Sequence, residues 1–89
     1  MDTFTETFKF NPRDTRFIGS PIDLIVFDGL EEKKELITIH FIEVKTGKSV
    51  LSPVQKKIKD AIENYRVKWE LMSLRDFGES INNDLADGV

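Results

Sequence analysis

The chain has 89 residues, a formal net charge of −3, 39% hydrophobic residues and no cysteine. That suffices for one domain with a single modest core. It excludes disulfides, thiolate zinc sites and a cysteine nucleophile, and no run approaches the roughly 18 apolar residues of a membrane span.

The opening "MDTFTETFKF" lacks the basic and then apolar plan of a secretory leader, so a cytoplasmic location is expected. Phe4, Phe8, Phe10 and Phe17 follow one another closely, with Pro12 and Gly19 among them. The spacing of Phe8 and Phe10 predicts a short extended piece that turns at "NPRD". Residues 22–27, "IDLIVF", are β-rich and run into "DG", a strong turn signal. After the charged connection "LEEKKE", residues 36–45, "LITIHFIEVK", form the clearest strand, which "TGK" breaks. Ser52 is a good N-cap and Pro53 suits a first helical turn. Val54, Ile58, Ala61, Ile62 and Tyr65 then recur on one face of an amphipathic helix. In "VKWELMSL", Val67, Trp69 and Leu71 alternate and predict a last strand.

This order predicts an α/β fold: a small mixed β-sheet with one main amphipathic helix. The two central runs pair as a hairpin, and the last strand returns through the helix to lie parallel to the second. The domain is expected over residues 1–74, with an acidic C-terminal tail over 75–89. The charge is divided accordingly. Val44 to Lys68 holds seven basic residues against two acidic ones, whereas Ser73 to Val89 holds one against four. Such a basic middle can attract phosphate despite the negative total, and it is equally what the solvated face of a helix looks like.

Charges within the two best strands raise the question of chemistry. Side chains two apart on a strand share a face, so Glu43 and Lys45 follow Ile37, Ile39 and Phe41, while Asp23 leads Ile25 and Phe27. If these faces coincide, two carboxylates and an ammonium converge at one edge of an apolar surface. With the Val44 carbonyl between them, that arrangement suits a hard cation such as Mg²⁺ or Mn²⁺, which shares its remaining positions with water and phosphate. Lys45 beside it would hold the attacking water and offset charge on a pentacoordinate phosphate. As isolated letters, Glu43 and Lys45 read sooner as an exposed ion pair worth under ~1 kcal/mol. Asp23 then reads as a strand-start residue.

Three segments, "PRDTRFIGSPIDLIVFDGL", "FIEVKTGKSVLSPVQKKIKDAIE" and "YRVKWEL", resemble the archaeal Holliday-junction-resolvase-related endonucleases of the PD-(D/E)XK nuclease superfamily. The resemblance spans roughly residues 8 to 74. It implies a restriction-endonuclease-like core lacking a long N-terminal helix, and a metal-dependent endonuclease acting on DNA, with branched DNA such as Holliday junctions among its candidate substrates. It makes Asp23 and Glu43 the metal ligands and Lys45 the catalytic lysine. Gln55, at the helix start, would orient water, Lys45 or a phosphate. Resolvases of this type are homodimers, because a four-way junction needs two symmetric cuts. An exposed sheet edge gives this small domain a further reason to pair.

Two departures stand out. Ile22 intervenes between Pro21 and Asp23, and no long N-terminal helix fits the 22 residues before Asp23, broken by Pro12, Gly19 and Pro21. If an N-terminal acid completes the site, Glu6 is the nearest candidate and Asp14 the next.

Of the remaining residues, Lys48, Lys56, Lys57 and Lys59 directly follow the site and are the best phosphate contacts, ahead of Arg13 and Arg16. His40, the only histidine, falls on the face opposite Glu43 and reads as structural. Tyr65 and Trp69 read as core or interface aromatics. The alternative to an enzyme is a non-catalytic module that keeps the nuclease fold and binds nucleic acid or a protein.

Overall fold

The computed structural model describes residues 8–74. A single 3-10 turn at Pro12–Asp14 leads into β1 (Thr15–Phe17), β2 (Leu24–Asp28), β3 (Thr38–Ile42) and the helix α1 (Pro53–Glu63). The strands form one antiparallel sheet in the order β1-β2-β3. The small α/β class expected from the sequence is therefore present, with the central hairpin and the single helix where they were predicted.

The sheet is nevertheless antiparallel throughout the described residues. Residues 67–71 adopt no strand, so the parallel pairing that would have made the sheet mixed does not form. Trp69 is 88% exposed and Leu71 83%. Alternation alone supplies no ladder of hydrogen bonds, and without a neighbouring strand these side chains have nothing to bury against. Trp69 and Tyr65, expected in a core or interface, both stand in solvent within this chain. The first extended piece also differs from expectation. Residues 8–10 are not a strand, and the short strand follows the Pro12–Asp14 turn instead of preceding it.

The core is thin. Leu24 and Val26, on one face of β2, are its two fully buried apolar side chains among the described residues. On that face His40 is the cross-strand partner of Val26. The His40 ring packs against Phe10 with centroids 4.6 Å apart, and its Nε2 lies 3.3 Å from Asp28 Oδ2. The opposite face of the hairpin carries Ile25, Phe27, Ile39 and Phe41. Half-buried Ile58, Ala61 and Ile62 of α1 line a groove with Ile22 and Phe41 there, whereas Val54 and Tyr65 of the expected apolar stripe are exposed.

Asp14 is the third fully buried side chain. Its carboxylate accepts from the backbone N–H of Gly29 (3.3 Å) and of Glu31 (2.8 Å), closing the turn after β2. Gly29 has φ +102°, and a Cβ there would lie 3.2 Å from Lys34, so the turn needs glycine. This placement settles where Asp14 stands. It serves the far end of β2, whereas Asp23 precedes the strand's first residue, about 17 Å away for five extended residues. Asp14 is thus removed as a completing acid, and Glu6 lies outside the described residues, as does the tail from 75 onward. No described helix is long and apolar enough to cross a membrane.

Replacing Asp14 with Ala would leave two turn donors without their acceptor. We expect stability to fall by about 2 kcal/mol in urea denaturation. A variant as stable as the wild type would show that this carboxylate does not hold the turn.

Candidate active site

The register of the hairpin assembles the site. Leu24 pairs with Ile42 and Ile25 with Phe41. Carried one residue beyond the strand ends, the same register sets Asp23 opposite Glu43, and cross-strand partners project from one face. The two acids are held there by a reciprocal clasp. Glu43 Oε1 accepts from the Asp23 backbone N–H at 3.1 Å, and Asp23 Oδ2 accepts from the Val44 backbone N–H at 2.9 Å. Each carboxylate thereby substitutes for a ladder bond where regular pairing stops. The Asp23 carbonyl also accepts from Ile18 N (2.7 Å) and Gly19 N (3.2 Å), anchoring the start of β2 from its other side.

Glu43 is the better enclosed of the two, with a side chain 14% exposed. Its Oε2 receives the Gln55 amide at 2.7 Å and lies 3.2 Å from Lys45 Nζ. A carboxylate offers about four acceptor positions. Three donors therefore compensate its burial and leave roughly one position open. Lys45 keeps a third of its side chain in solvent, so its ammonium reaches outward as well as to Glu43.

Gln55 reaches this point because of how α1 begins. Ser52 Oγ accepts from Gln55 N (3.2 Å) while Gln55 Oε1 accepts from Ser52 N (3.0 Å), a complete capping box, and Pro53 occupies the first turn. The sequence suggested the cap. The hydrogen bond from Gln55 to the Pro21 carbonyl, 3.1 Å long, was not foreseen. Its sequence signal is the Ser52-x-x-Gln55 spacing itself, which predicts the box but not what the free end of the amide meets.

Asp23, Glu43, Lys45 and Gln55 are thus brought together. Val44 contributes its N–H to Asp23, and its carbonyl accepts no hydrogen bond among the described residues. Of the four phosphate-contact candidates, Lys59 is engaged by Glu63 at 2.8 Å, one turn along α1. Lys48, Lys56 and Lys57 are exposed and make no ion pair among the described residues. Arg16 is spent on the backbone carbonyls of Arg13 and Thr15, and Arg13 pairs loosely with Glu31.

No described group of three or more acidic, His or Cys side chains forms a ready-made metal cluster. The oxygen donors present still fit a hard cation that takes one or two protein carboxylates. Asp23 Oδ1 accepts no hydrogen bond among the described residues, Glu43 keeps a position open, and the Val44 carbonyl is unengaged.

The architecture is that of a small α/β domain presenting two carboxylates, a lysine and a glutamine at the end of a β-hairpin. Residues 1–74 match the family described as endonuclease related to archaeal Holliday junction resolvase, and the chain belongs to that family. No curated protein and no solved structure matches it.

The clasp predicts an order of stabilities. Glu43→Ala strips the acceptor from three donors and should cost about 2 kcal/mol, whereas Asp23→Ala frees one exposed N–H and should cost under ~1 kcal/mol. Urea denaturation of both variants checks this. The reverse order would contradict the geometry.

Proposed function

We propose that the protein is a Mg²⁺- or Mn²⁺-dependent endodeoxyribonuclease of the PD-(D/E)XK type, hydrolysing phosphodiester bonds of branched DNA such as four-way junctions. The observation that carries this reading is the clasp of Asp23 and Glu43, with Lys45 on the same carboxylate. Asp23, Glu43 and the Val44 carbonyl would hold the cation. When bound, such an ion polarises the phosphoryl oxygen and makes water a nucleophile at neutral pH.

The chain's own residues supply the rest. Lys45, tethered at Glu43 but partly in solvent, donates to the water or to a non-bridging phosphate oxygen, where negative charge grows. Gln55 supports the geometry from the start of α1. Lys48, Lys56 and Lys57 neutralise backbone phosphates on the side of the site reached by that helix, with Lys59 joining them if Glu63 releases it. Such contacts are blind to sequence, so recognition rests on the shape of the nucleic acid. Two symmetric cuts call for a homodimer, and we place the protein in the cytoplasm.

One observation favours a second reading, a non-catalytic module that binds DNA or a protein. Asp14 is committed to a distant turn, so no third acid joins the pair among the described residues.

Cleavage and binding assays separate the two. Wild-type protein should cut a four-way junction, a flap or linear duplex only with Mg²⁺ or Mn²⁺, and Asp23→Asn and Glu43→Gln should abolish Mn²⁺ binding in calorimetry. Lys45→Ala should still bind Mn²⁺ while cleaving at least ~100-fold more slowly. Metal-dependent binding without cleavage of any of these substrates would favour the binding module.

A further inference from the structure

We propose that Ser52 and Gln55 are positioning residues for Glu43: the capping box of α1 fixes the Gln55 amide so that its NH₂ group, and never its carbonyl, meets the carboxylate. This deepens the reading above and rests on Glu43 as a cation ligand.

The surroundings of the amide admit one orientation. Its Nε2 faces two acceptors, Glu43 Oε2 at 2.7 Å and the Pro21 carbonyl at 3.1 Å. Its Oε1 faces a donor, the Ser52 N–H at 3.0 Å. Turning the amide over would place its oxygen against a carboxylate and a carbonyl, and its NH₂ against an N–H. All three bonds would be lost together.

A primary amide has two hydrogens, and here both are used within the protein. Gln55 therefore has none to spare for a water or a phosphate, and it acts through Glu43 instead of touching substrate. The bond to Pro21 adds a second consequence. Pro21 lies two residues before Asp23, so one amide ties both carboxylate-bearing segments to the first turn of α1. Partners that orient a metal ligand in this way commonly change metal affinity 10–100-fold when removed, on the order of magnitude expected here.

Glutamate at position 55 separates this role from helix capping. Glu closes a capping box as well as Gln does and suits a helix N-terminus. It offers no N–H to Glu43 or Pro21. If Gln55 were only a cap, the added carboxylate of Gln55→Glu would leave Mn²⁺ binding as tight as in the wild type or tighter.

The test uses the full ¹⁵N-labelled chain and two readouts. In chelator, without metal, the Gln55 side-chain NH₂ protons of the wild type should exchange slowly with solvent. Ser52→Ala should speed their exchange about tenfold, in line with loss of a typical cap, and Ser52→Thr should restore it. Ser52→Gly removes the hydroxyl at little cost in stability and serves if the Ala variant does not fold. In calorimetry with Mn²⁺, Gln55→Glu should bind about 10–100-fold more weakly than the wild type while keeping its helix content. Unchanged Gln55 exchange in Ser52→Ala and Ser52→Gly, or Mn²⁺ binding by Gln55→Glu as tight as the wild type, would overturn the positioning role even where Glu43→Gln abolishes binding. A wild type that binds no Mn²⁺ yet shows Ser52-dependent protection of Gln55 would overturn the metal site and leave the positioning of Glu43 standing.

Discussion

The site depends on a hairpin register that continues as side-chain bonds after the backbone ladder stops. Between Leu24–Asp28 and Thr38–Ile42 the strands pair through their backbones. One residue further on, Glu43 takes the Asp23 N–H and Asp23 takes the Val44 N–H. Two acids that would repel if placed side by side without partners are thereby each given a donor. A slip of one residue would carry Asp23 and Glu43 to opposite faces of the hairpin. The burial of Leu24 and Val26 opposes that slip, because it too would be lost. Packing on one face therefore fixes the acid pair at the end of the other.

The helix is attached to this frame mainly near its first turns and along three apolar residues. Ile58, Ala61 and Ile62 are half-buried, and no residue of α1 is fully buried. In so thin a contact, polar bonds carry unusual weight. Gln55 spans from α1 to both Pro21 and Glu43, so it contributes to holding helix and hairpin together as well as to shaping the site. A partly enclosed carboxylate with several donors is costly to disturb, since removing one acceptor orphans them all. The lysines that would meet phosphate stay exposed on the first half of the same helix and on the turn before it. The residues proposed as metal ligands and as phosphate contacts are thus joined through a single capped segment.

Much of this was legible because it is local. Period-two alternation located β2 and β3, and the Ser52-Pro53 start with a 3.6-residue stripe located α1 and its first residue. Convergence of Asp23 and Glu43 followed from counting along two strands joined as a hairpin. What escaped was non-local. Asp14 stood second among the acids that could complete the site, and only the folded chain shows it buried on Gly29 and Glu31. "VKWELMSL" alternates as a strand should, but alternation does not say whether a neighbouring edge is available, and residues 67–71 remain unpaired. Tyr65 was placed on the apolar stripe of α1, yet it lies beyond the last helical residue with φ +60° and turns outward. The destination of the Gln55 amide likewise depends on a contact with Pro21, 34 positions away.

The proposed function places one divalent ion between Asp23 and Glu43. A crystal soaked in Mn²⁺ and read for anomalous scattering tests it most directly. A shared ion gives a peak within bonding distance of both carboxylates, beside the Val44 carbonyl. No peak there, or one that touches neither acid, would contradict it.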